Sequence, residues 1–231
     1  MLQTISQAFI AVIHFNGDVW QIVFTSLSVS FTALIIGAVL GLPLGTLLAV
    51  SNFPGRDLCI TITNTLMNVP TVIIGVLVYL LLSRTGPLGN LGLLFTIPGM
   101  IIAQTLLTTP LIAAISRQIT HDAWQIHRET FLSLRLKLFQ QIKWILWDCR
   151  FSLVIALLAG FGRAISEVGA VMIVGGNISH HTRTMTTAIS LETSKGDLSL
   201  ALSLGIVLIL VVLIVNFLAY VIKKMAENKY G

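Results

Sequence analysis

Apolar residues run almost unbroken through five stretches of this chain, and polar and charged residues collect between them. Residues 19–55, 58–83, 85–116 and 198–222 contain no charged side chain, and residues 151–176 contain only Arg163 and Glu167. Each stretch can cross a hydrocarbon layer about 30 Å thick, which takes about 20 helical residues. The runs are continuously apolar, whereas the strands of a membrane barrel alternate in hydrophobicity. The pattern therefore predicts an all-α integral membrane protein. Its five transmembrane helices fall at about residues 19–50, 58–83, 96–116, 151–176 and 198–222, within one domain over residues 1–231.

Composition narrows the class further. Of 231 residues 55% are hydrophobic and 10% are charged, against about 25% charged in a soluble globule. Cytosolic enzymes, disordered proteins and disulfide-stapled secreted modules are excluded together. Lys and Arg set the orientation. Ten of them (Arg56, Arg117, Arg128, Arg135, Lys137, Lys143, Arg150, Lys223, Lys224 and Lys229) fall on one side of the five-span arrangement, and Arg84, Arg183 and Lys195 on the other. The positive-inside rule then puts the N-terminus out and the C-terminus in. The net charge of +5 is a topology signal and implies no nucleic-acid partner. The start Met1-Leu2-Gln3-Thr4 has no basic region, so no cleaved signal peptide is expected. Cys59 and Cys149 fall on the reducing side and read as free packing residues.

Between the spans, residues 84–95 and 177–197 read as external loops, the second holding His180 and His181 without metal-site spacing. Residues 117–150 form the longest internal segment. In it Phe131, Leu134, Leu138, Ile142 and Ile145 recur at steps of three and four, which predicts one amphipathic helix of at least 15 residues. Two readings stand: a helix lying on the inner leaflet, or a docking element for a cytoplasmic partner.

Three features lie inside the spans. Ala33, Gly37, Gly41, Gly45 and Ala49 line one face of the first helix, fitted for close helix packing within the bundle or against a second copy. Pro43, Pro70 and Pro110 are expected kinks or breaks, with Asn68 placed to satisfy a freed backbone group. Arg163 and Glu167, spaced i,i+4, should share a helix face, either as a mutually neutralising structural pair or as the polar lining of a solute route. No phosphate-binding loop and no hydrolase motif occurs, so the chain is not expected to be an enzyme, and no cofactor or metal is expected.

Residues 161–177, Phe-Gly-Arg-Ala-Ile-Ser-Glu-Val-Gly-Ala-Val-Met-Ile-Val-Gly-Gly-Asn, followed by Thr182-Arg-Thr-Met-Thr-Thr-Ala-Ile189, resemble the membrane permease subunits of bacterial ABC importers. The molybdate/tungstate branch is nearest, and its tungstate-type subgroup in particular. The resemblance implies a type I importer permease fold in the bacterial inner membrane with a cytoplasmic coupling loop at 117–150. It also implies pairing with a second copy, two cytoplasmic ATP-binding subunits that carry all ATP hydrolysis, an external substrate-binding protein, and alternating-access transport of an oxyanion, tungstate first, with molybdate and sulfate as alternatives.

The family's internal E-A-A-x-x-x-G signature starts at Glu129. Thr130 and Phe131 replace its alanines, Arg135 replaces its glycine, and Trp147-Asp148 stands where a distal Leu-Pro is expected. By this resemblance Trp124, Arg128, Glu129, Phe131, Leu134 and Arg135 are candidates for ATPase coupling. Arg163, Glu167, Asn68 and Asn177 are candidates for the translocation pathway, or for a structural charge pair in the case of the first two. The rival classes are a channel or secondary transporter acting alone, and a non-transporting assembly factor. The first would need several intramembrane carboxylates, where Glu167 stands alone. The second leaves the bent spans without a purpose.

Overall fold

The computed structural model describes residues 17–230; the charge-poor start of the chain, on which the signal-peptide expectation rests, lies outside them. Among the described residues there are helices, turns and no strand. The order is α1 (Gly17–Val50), α2 (Arg56–Asn68), α3 (Thr71–Leu82), a 3-10 turn (Gly89–Leu91), α4 (Ile97–Ser133), α5 (Leu138–Asp148), α6 (Val154–Ile165), α7 (Gly169–Gly175), α8 (Met185–Lys195) and α9 (Leu198–Tyr230). Among the described residues three helices are long and apolar enough to cross a membrane: α1 from Val19, α4, and α9 as far as Val221. Two sharply bent pairs, α2 with α3 and α6 with α7, bring the number to five if each pair is one span. The stretches expected to form the second and fourth spans each fold as two helices meeting at a sharp bend.

Proline alone does not decide where the breaks fall. Pro43 and Pro110 sit inside continuous helices, and only Pro70 stands at a break. There Val69 is extended, with φ −61° and ψ 135°, the conformation a following proline ring favours. The helical proton that Pro70 lacks would have gone to the Leu66 carbonyl, which Val69 N–H takes instead at 3.4 Å. Asn68 therefore serves a different group, donating to the Asn64 carbonyl at 3.0 Å.

The described chain forms two compact units, one from residues 17–33, 70–104 and 164–217, the other from 34–69, 105–163 and 218–230. In the second unit the small-residue face of α1 packs on α4. A methyl on Gly37 would lie 2.7 Å from Thr108 Oγ1, one on Gly41 2.9 Å from the Thr109 carbonyl, and one on Gly45 2.9 Å from the Arg117 nitrogen. This is the close packing within the bundle that the stripe predicts. Both sequences ascend along the contact, so α1 and α4 run parallel. Ile112, fully buried, also fills the notch at Gly160 of α6. α4 continues through Pro110, where Thr109 Oγ1 donates to the Thr105 carbonyl at 2.7 Å.

In the first unit Val29, Met100 and Val171 form a buried cluster with Ile97 and Ile101 against it. Residues 84–95 form the expected turn-rich loop, folded back so that Leu88 N–H meets the Leu81 carbonyl at 3.0 Å. Residues 177–197 are not a plain loop, because Met185–Lys195 is a helix whose first turn is buried. Its N-cap is Thr184, whose hydroxyl accepts from Thr187 N–H. Ser26 Oγ of α1 accepts the Met185 N–H at 2.7 Å.

Candidate functional sites

The broken fourth span is the first site. α6 ends at Ile165 and residues 166–168 are non-helical, so Arg163 and Glu167 do not share a helix face. The i,i+4 geometry expected of them is corrected. Glu167 is buried, and its Oε1 accepts the Ala170 N–H of α7 at 3.0 Å. A carboxylate that captures a backbone proton three residues on competes with helix continuation. The freed backbone groups find partners: the Ala164 carbonyl accepts from Gln104 Nε2 at 2.8 Å, and the Glu167 carbonyl from Thr186 Oγ1 at 2.7 Å. Irregular backbone in a membrane protein persists only where protein encloses it. Here Gly75 and Gly169 admit the α3–α7 contact, since a methyl on either would lie within 3 Å of Ala170 or Val72. Arg163 is half-buried.

Around the break, threonines replace what composition alone presents as loop. Thr182, Thr184, Thr186 and Thr187 are all buried, and each hydroxyl has a partner: Thr182 Oγ1 donates to the Gly175 carbonyl at 2.5 Å, and Thr184 Oγ1 lies 3.1 Å from Thr187 Oγ1. Gly176 closes α7 in the left-handed conformation, Asn177 follows it at φ 49°, a conformation asparagine tolerates, and its Nδ2 donates to the Thr187 carbonyl at 3.4 Å. Next to this lies a cavity of about 300 Å³ lined by Gln21, Thr25, His180, His181, Arg183 and Glu192 among others. His180 and His181 are exposed, and His180 is held to Gln21 through its carbonyl at 2.7 Å. Among the described residues no group of three His, Cys, Asp or Glu could hold a metal ion.

The connector between α4 and α6 is the second site. The single amphipathic helix expected across residues 131–145 is in fact two: α4 stops at Ser133 and α5 starts at Leu138. The stop is a Schellman turn, with Arg135 N–H on the Leu132 carbonyl and Leu136 N–H on the Phe131 carbonyl, both at 3.1 Å. It requires a left-handed residue, and Arg135 supplies it at φ 49°. Arg135 stands where the resembled signature has glycine, and it takes the left-handed conformation that glycine adopts most readily. Lys137 N–H then meets Gln140 Oε1 at 2.8 Å to start α5.

Trp124 and Phe131, expected to serve ATPase coupling, are buried in a core with Ala49, Val50, Ile145, Cys149 and Leu153. Their rings lie 5.8 Å apart, and Trp144 approaches Phe131 at 6.3 Å. His127 stacks on Phe131 and reaches Asp148 at 3.4 Å. Arg128, Glu129, Leu134 and Arg135 remain exposed, as do Leu138, Phe139 and Trp147. Burial, with Asp148 and Asp122 nearby, pushes the Cys149 thiol up to about 11. Cys149 packs as expected, whereas Cys59 is exposed and does not.

Whole and broken apolar spans, joined by one basic and aromatic helical connector, define a polytopic all-α membrane protein. Residues 41–230 match the family described as the binding-protein-dependent transport system inner membrane component, and the chain belongs to that family. It is 40% identical over 208 residues to the tungstate uptake system permease protein TupB of Peptoclostridium acidaminophilum, covering 90% of this chain and 91% of the relative. It is 39% identical to a probable anion ABC transporter permease protein of Haloferax volcanii (84% and 85% covered). It is also 39% identical to TupB of Campylobacter jejuni (71% and 68% covered).

Proposed function

We propose that the chain is the membrane-spanning permease subunit of an ATP-driven importer that carries an oxyanion, tungstate first, inward by alternating access. The observation that carries this reading is identity of 40% to a tungstate uptake permease over nine-tenths of both chains. The chain crosses five times with its N-terminus out and C-terminus in, an arrangement favoured by the Lys/Arg distribution and by the parallel α1 and α4. Two copies pair, an external binding protein delivers the anion, and two cytoplasmic ATP-binding subunits dock on residues 117–150. Catalysis of ATP hydrolysis belongs to those subunits.

Within the connector the docking surface is the exposed set Arg128, Glu129, Leu134 and Arg135. Trp124 and Phe131 act beneath it, fixing α4 against α5 so that motion of the ATPase reaches the spans as a rigid-body movement. Glu167 and Asn177 hold the broken fourth span in shape, and Asn68 belongs to the pathway.

Co-purification tests the reading. The wild-type chain retains its ATP-binding subunit through detergent extraction, and Glu129→Lys releases it while the protein stays in the membrane. Equal retention by both removes the docking role of this surface.

A further inference from the structure

α2 carries a polar face where a membrane span should have none. At 3.6 residues per turn, Asp57, Thr61, Asn64, Thr65 and Asn68 fall within an arc of roughly 100° along about 16 Å of helix. All five are exposed, while Leu58, Ile62 and Leu66 form an exposed apolar strip on the adjoining arc. The buried side holds Thr63, whose hydroxyl is absorbed by the Cys59 carbonyl at 2.8 Å. A hydroxyl and carboxamide face cannot lie against lipid tails without losing its hydration, and the rest of α2 offers lipid a suitable surface.

We infer that this face lines the water-filled route of the transported oxyanion, with Asn64 and Asn68 as its principal hydrogen-bond donors. The inference rests on the importer reading above and identifies the residues that would meet the solute. Asn68 uses one amide proton on the Asn64 carbonyl, leaving its other proton and the exposed Asn64 carboxamide available. The Thr61 and Thr65 hydroxyls donate to the Asp57 and Thr61 carbonyls at 2.8 Å and can turn outward at little cost. Neutral donors suit conduction of a divalent anion: they replace part of its hydration shell without the deep trap that a cation would create. The face bears one charge, Asp57, at its arginine-bearing end, where Arg56 lies 3.7 Å from it and donates Nε–H to the Leu48 carbonyl at 2.8 Å.

The test uses the complete importer in lipid vesicles, with Cys59→Ala as background. Asn64→Cys and Asn68→Cys react with a charged, water-soluble methanethiosulfonate reagent, and Ile62→Cys and Leu66→Cys do not. In parallel, Asn64→Leu with Asn68→Leu keeps ATP hydrolysis stimulated by the loaded binding protein but lowers tungstate uptake about tenfold or more, the expected cost of lost donors to a charged partner. Asn64→Gln restores uptake. Disulfide cross-linking of Asn64→Cys between two copies, with no aqueous labelling, would assign the face to the dimer contact and overturn the inference. So would uptake unchanged in the double leucine variant. Absence of ATP-dependent uptake by the unaltered chain would instead remove the importer reading itself.

Discussion

The Glu167 carboxylate accepts the Ala170 backbone N–H at 3.0 Å across the gap between α6 and α7, so the acidic residue of the fourth span serves as a backbone partner. Replacing it by alanine leaves that N–H buried and unpaired and destabilises the protein by about 1–3 kcal/mol. Glu167→Gln keeps the acceptor and stays near wild type. Thermal unfolding of the purified complex in detergent checks both, and equal losses in the two variants would show that the charge itself is what matters.

Gly45 and Gly205 give opposite expectations for the same substitution. A methyl on Gly45 collides with Ser116 Oγ and the Ala113 carbonyl, and the latter is backbone that cannot turn aside. Gly45→Ala therefore costs about 1–3 kcal/mol by overpacking. Nothing lies within 4 Å of a methyl on Gly205, and Gly205→Ala is neutral or stabilises α9 by up to about 1 kcal/mol. The paired unfolding temperatures, measured under one condition, read the difference.

Arg135 holds a conformation that an L side chain occupies at a cost of about 1–2 kcal/mol. Arg135→Gly should raise stability by about 1 kcal/mol, seen as a higher unfolding temperature, because glycine is at ease at the C′ position of a Schellman turn. If the side chain also contacts the ATPase, the same variant is more stable and yet weaker in retaining that subunit.

Cys149 predicts a loss of stability on the alkaline side. Its thiol titrates at about 11 in the folded chain against 9.0 ordinarily, so the native state favours the protonated form. The contribution is whole below pH 9 and is lost as pH rises from about 9 through 11. Cys149→Ala flattens stability across that window. A maleimide probe at pH 7 labels the exposed Cys59 and leaves Cys149 unmodified until the protein unfolds.

The five apolar stretches were legible because lipid exposure selects runs of about 20 apolar residues. The small-residue face of Gly37, Gly41 and Gly45 was legible because small residues four apart must share a face, whereas its partner, α4, was not. Local competition was harder to read. Pro70 stands at a helix break and Pro110 inside a helix that packs on Gly37 and Gly41, and the prolines alone do not tell the two apart. The turn at Arg135 escaped notice because the left-handed position is normally announced by glycine. Helix α8 hid behind threonines that look like loop until their hydroxyls are seen to satisfy one another. The polar arc of α2 vanished into the average hydropathy of residues 58–83, although a helical wheel over 57–68 exposes it. In the connector, apolar residues at steps of three and four marked helix but not its interruption at residues 134–137, and the sequence alone did not reveal that Trp124 and Phe131 turn inward while Arg128 and Glu129 turn out.

The importer reading itself is tested most directly by transport. The chain is reconstituted in lipid vesicles with its ATP-binding subunit, the loaded binding protein outside and ATP inside, and tungstate inside the vesicles is followed over time. The account predicts accumulation that requires both ATP and the binding protein, with tungstate taken up in preference to molybdate and sulfate. Tungstate entry that proceeds equally without ATP, or no entry in vesicles where the loaded binding protein still stimulates ATP hydrolysis, would contradict it.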